Sequence, residues 1–242
     1  MDRLISAIQF ITILPAGAEH RFRARGMIAF FPIVGLIIGA LMSALDLLLS
    51  NWWSSPIVAL ADVVFLAVVT GAFHIDGLGD TADGLLAHHG RERALEIMKD
   101  SRLGTMGVVA IALVLSAKWC GIMELGPHRH LLFVLIPAYA RAGMIFGIYF
   151  LEYGRPGGGT GLPFFTKPLS PKAFIGLFPP VAVSIFLGMP ALVLNSAFIL
   201  ITAGMIAYYR KRIGCITGDM LGAMTEVQEA LLFLLFAGCF FA

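Results

Sequence analysis

Residues 174–209 read FIGLFPPVAVSIFLGMPALVLNSAFILITAGMIAYY, 36 residues without a charged side chain. A hydrocarbon core about 30 Å thick is crossed by about 20 helical residues at about 1.5 Å each. The stretch is therefore long enough for two membrane-spanning helices. Met189-Pro190 predicts the hinge between them, and Pro179 and Pro180 predict a bend in the first. This stretch favours a polytopic membrane protein over a soluble fold.

The composition of the whole chain supports the same fold class. Hydrophobic residues make up 59% of the chain and charged residues 13%, whereas soluble domains carry about a quarter charged residues. The charges are gathered in short clusters between long apolar runs, which excludes a disordered chain, a coiled coil and a disulfide scaffold. A net charge of +2 gives no indication of a nucleic-acid partner.

Seven apolar runs are long enough to be candidate spans. They cover residues 28–49, 57–73, 105–123, 131–151, 174–188, 191–209 and 227–242. The apolar run at residues 4–14 is too short to span and predicts an interfacial or re-entrant helix; a cleaved secretory signal is the alternative. We expect an all-α membrane helix bundle of about seven spans plus this N-terminal helix, forming one integral-membrane domain over residues 1–242.

The basic residues predict the orientation of the bundle. Alternate loops carry 13 of the 17 Lys and Arg residues, and the opposite loops contribute only Arg129. The positive-inside rule therefore predicts that the basic loops are cytoplasmic and the C-terminus is outside. The 13 are Arg21, Arg23, Arg25, Arg91, Arg93, Lys99, Arg102, Arg155, Lys167, Lys172, Arg210, Lys211 and Arg212.

The segment 74–84, HIDGLGDTADG, carries chemistry that a membrane anchor does not need. At 100° per residue, Asp76, Asp80 and Asp83 share one helix face within an arc of about 60°. Three carboxylates so close together repel one another, and a divalent cation relieves that repulsion. Oxygen ligands favour Mg²⁺, with Mn²⁺ as the alternative. A solvated helix end just beyond the membrane is the competing interpretation.

A second acidic face lies near the C-terminus. Asp219, Glu226 and Glu229 are spaced by seven and three residues, so they also share a helix face. Because both faces open into the same predicted compartment, they could meet around a metal-bound phosphate. Two cations inside predicted spans, Lys118 and Arg141, indicate either a site or pairing with acidic neighbours.

These segments together resemble the cobalamin synthase family, and the resemblance runs along nearly the whole chain. The matching motifs are FPIVG at 31–35, HIDGLGDTADG at 74–84, EIMKDSRLG at 96–104, RPGGGTG at 155–161 and TGDMLGA at 217–223, with Glu226 and Glu229. Gly79 and Lys99 stand where the family pattern has Ala and Arg. The acidic block and the Asp-Ser-Arg block carry most of the specificity.

The resemblance implies an adenosylcobinamide-GDP ribazoletransferase activity. Such an enzyme transfers the cobinamide phosphate from its GDP ester to the 3′-hydroxyl of α-ribazole or α-ribazole 5′-phosphate, with Mg²⁺ bound and GMP leaving. We expect Asp76, Asp80 and Asp83 to bind the metal, and Asp80, Asp83 and Asp219 to be catalytic. The expected substrate-binding residues are His74, Lys99, Asp100, Arg102, Arg155, Thr217, Glu226 and Glu229.

The expected location is the cytoplasmic membrane of a bacterium or archaeon, with the site facing the cytoplasm and homo-oligomers left open. A phosphotransferase of the CDP-alcohol type is a rival, but it should carry Ala-Arg four residues after its first Asp. A membrane prenyltransferase should carry two separated Asp-rich motifs with Asn in the first. A divalent-cation transporter should carry acidic residues at mid-membrane, where only Asp46 and Asp62 are expected.

Overall fold

The fold is known from a computed structural model. It describes residues 2–17, 24–87, 89–100, 102–155 and 157–238. Four residues named above fall outside these ranges: Arg21 and Arg23 of the first basic loop, Ser101 of the Asp-Ser-Arg block and Pro156 of the glycine-rich motif. The end of the seventh predicted span, residues 239–242, lies outside them as well.

Helices account for the architecture of the described residues. They are α1 (Asp2–Ile11), α2 (Ala24–Met27), α3 (Phe31–Leu49), α4 (Ser55–Val69), α5 (Phe73–Leu86), α6 (Arg91–Ile97), α7 (Thr105–Met123), α8 (Arg129–Phe150), α9 (Phe178–Ser184), α10 (Pro190–Arg212) and α11 (Gly218–Phe236). Short 3₁₀ turns cover Ile28–Phe30, Leu162–Phe164, Pro171–Leu177 and Ile185–Leu187. Within these residues the predicted all-α class is confirmed.

Within the described residues, four helical segments are long and apolar enough to cross a membrane. They are Ile28–Leu49, Thr105–Met123, Arg129–Phe150 and Pro190–Arg212. A fifth span results if α4 and α5 are counted together. The predicted number of seven is therefore not confirmed. The predicted span at residues 174–188 is divided, because α9, which contains Pro179 and Pro180, is flanked by 3₁₀ turns on both sides. The predicted span at residues 227–242 begins within α11, which carries three acidic residues.

The second predicted span ends earlier than expected. Helix α4 stops at Val69, and Gly71 and Ala72 both take left-handed backbone angles, with φ of 59° and 57°. Helix α5 then leaves at 88° to α4. The acidic segment consequently begins a separate helix, and the N-terminal chain lies against the break, where the Ile13 N–H donates to the Val69 carbonyl at 2.9 Å.

Helix α8 is the centre of the bundle, and α3 lies against it. Almost every residue of α8 from Leu132 to Ile148 is buried. A Cβ placed on Gly35 of α3 would lie only 2.5 Å from the Ala138 Cα, and Gly39 approaches the Phe133 carbonyl more closely still. The Gly-x-x-x-Gly spacing thus lets two helix backbones touch.

A cluster of charges closes the end of the bundle opposite α5. Arg129, at the first residue of α8, donates to Asp46 of α3 at 2.5 Å and to Asp62 of α4 at 3.4 Å. Its guanidinium also lies 4.7 Å from the ring centre of Phe133. Asp46 and Asp62 are therefore paired with the one basic residue of the opposite loops. The expectation that only these two acidic residues lie deep is wrong, since Glu226 and Glu229 are also buried.

The contact between α3 and α8 gives a stability prediction. Gly35→Val should lower the thermal unfolding temperature of the purified protein in detergent, because overpacking of a filled core costs about 1–3 kcal/mol. Gly204→Val is the matched control, since a Cβ on this helical glycine of α10 meets nothing within 4 Å. Equal unfolding temperatures for the two variants would contradict the backbone contact.

Candidate active site

Helices α5 and α11 meet at backbone contact, and this meeting brings the two acidic segments together. A Cβ on Gly77 would lie 2.7 Å from the Asp219 carbonyl oxygen and 2.9 Å from the Asp219 Cα. One turn further along α11, a Cβ on Gly222 would lie 3.1 Å from the Cα of His74. The prediction that the two acidic segments meet is confirmed for Asp219.

Four carboxylates share the resulting site. Asp80 is half-buried and feels the negative charges of Asp219, Asp76 and Asp83, opposed by the positive charge of Arg155. Asp76 lies at the surface, and Asp83 is half-buried. The site therefore carries more negative charge than Arg155 alone balances, which is the condition that favours binding a cation.

Asp83 also holds the beginning of α7. One carboxylate oxygen accepts a hydrogen bond from the Gly104 N–H at 2.7 Å, and the other accepts from the Gly107 N–H at 2.8 Å. Helix N-terminal N–H groups lack partners within the helix, and a carboxylate there is also stabilised by the helix dipole. This role was not predicted, since it joins residues more than 20 positions apart. It leaves the second lone pair of each oxygen for a metal.

Arg155 connects three parts of the site. One of its guanidinium nitrogens, Nη2, lies 2.7 Å from Asp219 Oδ2 and donates to the Met98 carbonyl at 2.7 Å. The Thr217 hydroxyl accepts from the Met220 N–H at 3.3 Å and so caps α11, and it donates to Asp219 at 3.4 Å. The predicted residues Arg155, Thr217 and Asp219 are thus brought together.

A short backbone pairing fixes the glycine-rich loop against α11. Tyr153 and Ile216 form a parallel β-bridge, with the Gly154 N–H donating to the Ile216 carbonyl at 2.8 Å. Gly158 and Gly159 have φ of 154° and 100°, the conformation that glycine allows most readily. The loop therefore lies at the N-terminus of α11, beside Asp219.

The link between α6 and α7 carries the other predicted phosphate ligands. Arg102 donates to both oxygens of Asp100, at 3.0 and 2.6 Å, in an exposed pair. The Arg102 side chain and backbone hydrogen bonds lower the pKa of Asp100 to about 2, so this carboxylate is ionised at physiological pH. Lys99 is exposed on the same link.

The charges buried deeper in the bundle are paired with one another. Lys118 Nζ donates to Glu226 at 2.6 Å and to Glu229 at 2.5 Å, and Arg141 also pairs with Glu229. The alternative of structural pairing for Lys118 and Arg141 is confirmed. Both glutamates therefore have cationic partners within the protein. Substrate binding by Glu226 and Glu229 stays a prediction.

His74 lies between the acidic site and this buried charge cluster. Its side chain is buried, and neither ring nitrogen has a hydrogen-bond partner among the described residues. Arg141 and Lys118 exert the strongest charge effects on the imidazole. Substrate binding by His74 also stays a prediction, and the structure places the ring in the interior instead of at the surface.

The donor chemistry of the site suits a hard cation. Carboxylate oxygens of Asp76, Asp80 and Asp83, with Asp219 from the neighbouring helix, are the ligand type that Mg²⁺ and Mn²⁺ prefer. As the side chains stand, the described part of the chain gathers no three His, Cys, Asp or Glu residues closely enough to hold a metal ion. The metal-ligand assignment therefore stays a prediction.

Comparison with known proteins gives one consistent result. A family model described as cobalamin-5-phosphate synthase matches residues 3–237. A protein of Alkaliphilus metalliredigens is 37% identical over 97% of this chain and 95% of its own length. Proteins of Geotalea daltonii (34%; 93% and 92%) and Klebsiella pneumoniae (37%; 95% and 96%) are similar. All three are named adenosylcobinamide-GDP ribazoletransferase. No solved structure matches the chain.

The role of Asp83 at the start of α7 can be tested by stability. Asp83→Ala should destabilise the protein by about 1–3 kcal/mol, because the N–H groups of Gly104 and Gly107 lose their acceptor. Thermal unfolding in detergent measures the loss, and Glu92→Ala on the exposed face of α6 is the control. If Asp83→Ala unfolds at the same temperature as Glu92→Ala, the carboxylate does not hold α7.

The buried charge cluster gives a second prediction. Lys118→Met should destabilise the bundle by about 3–5 kcal/mol, because it leaves buried carboxylates short of a cation. The double variant Lys118→Met/Glu226→Gln should recover part of that loss, since it removes one uncompensated charge. A single variant as stable as the original chain, or a double variant less stable than the single one, would show that the ion pairs do not couple these helices.

Proposed function

The chain belongs to the cobalamin-5-phosphate synthase family, and on that premise we propose that it is an adenosylcobinamide-GDP ribazoletransferase. It would transfer the adenosylcobinamide phosphate moiety from adenosylcobinamide-GDP to the 3′-hydroxyl of α-ribazole or α-ribazole 5′-phosphate. The products would be GMP and adenosylcobalamin or its 5′-phosphate, in the last steps of cobalamin biosynthesis. The names of the relatives support this reaction, and the site chemistry agrees with it.

The meeting of α5 and α11 is the observation that carries the proposal. It gathers carboxylates from two helices beside Arg155, at the loops that also hold Lys99 and Arg102. Displacement at a pyrophosphate depends on positioning and on neutralising oxygen charge. When bound by Asp76, Asp80 and Asp83, Mg²⁺, or Mn²⁺ in its place, would neutralise pyrophosphate oxygens and the leaving phosphate.

Asp219 is the best-placed general base. It lies at the first turn of α11, where burial raises the pKa of its carboxyl and Arg155 and Thr217 act against that rise. A carboxylate with a raised pKa accepts a proton more readily than an exposed one. Asp219 would accept the proton of the ribazole 3′-hydroxyl as the hydroxyl oxygen attacks the phosphorus.

The cations around the site would bind phosphate oxygens. Arg155 is already within hydrogen-bond distance of Asp219, so a phosphate bound there would lie beside the base. Lys99 and Arg102 stand on the exposed link, and Asp100 orients the Arg102 guanidinium by accepting hydrogen bonds on both carboxylate oxygens. A planar guanidinium group can donate two parallel hydrogen bonds to a phosphate, which orients the reacting group and also neutralises its charge.

The site is proposed to face the cytoplasm of a bacterium or archaeon. The apolar helices of the bundle support insertion in a membrane. Arg155 pairs with Asp219, and Arg212 donates to the Leu85 carbonyl near the end of α5, so these two basic loops lie on the side of the carboxylate site. The positive-inside rule predicts that such loops are cytoplasmic. Nucleotide substrates would reach the site from that side.

The alternative of a divalent-cation transporter gains no support from the buried ion pairs. A divalent-cation transporter needs carboxylates available along a path through the membrane. Inside the described bundle, Asp46 and Asp62 are paired with Arg129, and Glu226 and Glu229 are paired with Lys118 and Arg141.

The reaction itself is the test of the proposal. Purified protein with adenosylcobinamide-GDP, α-ribazole 5′-phosphate and Mg²⁺ should release GMP and form a cobalamin product. Asp80→Asn should slow this transfer about 100-fold or more, because one charged metal ligand is lost. Glu92→Gln, an exposed residue of α6, should leave the rate unchanged.

Two outcomes would contradict different parts of the proposal. No GMP and no cobalamin from the unaltered protein would exclude the proposed reaction. Near-native transfer by Asp80→Asn at saturating Mg²⁺ would leave the reaction standing but exclude the metal role of that carboxylate.

A further inference from the structure

A cavity of about 650 Å³ lies beside the glycine-rich loop, between the end of α8 and residues 162–169. This volume is in the range of small-molecule binding sites. The residues that give the cavity its chemistry are four aromatic side chains, one carboxylate and one ammonium group: Tyr149, Tyr153, Phe164, Phe165, Glu152 and Lys167. None of them was predicted to bind substrate.

The cavity shares a wall with the carboxylate site. Tyr153 lines the cavity, and its hydroxyl donates to the Gly158 carbonyl at 3.1 Å. The same side chain feels the charges of Arg155 and Asp219. The cavity therefore adjoins the glycine-rich loop that carries Arg155 to the carboxylate site.

The aromatic side chains suit a flat ligand. The rings of Tyr153 and Phe165 are stacked, with centroids 4.9 Å apart and planes 26° from parallel. Both are only half-buried, and Tyr149 is 40% exposed at the cavity. Aromatic surfaces of this kind bind nucleotide bases by stacking.

Glu152 adds a hydrogen-bond acceptor at a fixed place. Its carbonyl accepts from the Ile216 N–H at 2.9 Å, so the backbone is held by the pairing that fixes the glycine-rich loop, while its side chain is exposed. An ionised carboxylate only accepts hydrogen bonds. Guanine offers two neighbouring donors, its N1–H and its 2-amino group, whereas the benzimidazole of ribazole offers none once it is attached to ribose.

We propose that this cavity binds the guanine base of the GDP moiety of the donor, stacked on the aromatic side chains, with Glu152 accepting hydrogen bonds from N1–H and the 2-amino group. The identity of the nucleotide rests on the proposed function. Glu152 and Arg155 are three residues apart, so their Cα atoms lie within about 10 Å. A nucleotide spans that distance from its base to its phosphates, which places the pyrophosphate near Arg155.

Equilibrium binding of GDP, IDP and ADP to the purified full chain tests the cavity without turnover. IDP lacks the 2-amino donor, and ADP lacks both donors of the guanine edge. The unaltered protein should bind GDP more tightly than IDP and IDP more tightly than ADP. Glu152→Gln should weaken GDP binding about tenfold or more and lose the preference over ADP, because hydrogen bonds to a charged acceptor are removed.

Two further variants make the result specific. Glu92→Gln, on exposed α6, should bind all three nucleotides as the unaltered protein does. Phe165→Leu keeps apolar volume but removes the stacking ring, so it should weaken all three nucleotides alike. Equal binding of GDP and ADP by the unaltered protein, or unchanged GDP binding by Glu152→Gln, would overturn the proposal.

Steady-state kinetics separates the two substrates. Glu152→Gln should raise the KM for adenosylcobinamide-GDP and leave the KM for α-ribazole 5′-phosphate unchanged. A raised KM for the ribazole substrate alone would assign the cavity to the acceptor and overturn the proposal. Guanine-selective binding without any transfer would refute the proposed function and keep the cavity assignment. Transfer without guanine selectivity would keep the proposed function and refute the cavity assignment.

Discussion

The site depends on the backbone contact between α5 and α11. Gly77 has no side chain, so the two helices approach until its Cα lies against the Asp219 backbone, and Gly222 repeats the contact against His74. Any larger residue at Gly77 would push Asp219 away from Asp76 and Asp80. The glycines of the acidic motif thus act by allowing an approach, and the carboxylates can work together only because that approach is close.

Charge is distributed in two ways within the bundle. Deep inside, Lys118 and Arg141 neutralise Glu226 and Glu229, which satisfies charges that could not remain unpaired in a low dielectric. At the end of the bundle, several carboxylates face one main cation, Arg155. The first arrangement joins α7, α8 and α11 into a frame. The second leaves an excess of negative charge at a position that this frame holds in place.

Patterns along the sequence were sufficient for the helical class, which follows from the length of the apolar runs, and for the shared face of the three aspartates, which follows from helix periodicity. The break at Gly71 and Ala72 was missed, since apolar residues continue through it. The capping of α7 by Asp83, the Arg155–Asp219 pair and the aromatic cavity join residues distant in sequence. Their positions follow from how the helices pack, which one sequence with no observed contacts does not specify.

The dependence of the site on the contact between α5 and α11 is tested most directly by the transfer rate of Gly77→Ala, with Gly204→Ala as the control. A Cβ at Gly77 would lie 2.7 Å from the Asp219 carbonyl oxygen, whereas a Cβ at Gly204 meets open space. Displacing a reacting group by about 1 Å can cost about 100-fold in rate. We expect a loss of that size and a higher Mg²⁺ requirement for Gly77→Ala, and no change for Gly204→Ala. Equal rates and equal Mg²⁺ dependence in the two variants would contradict it.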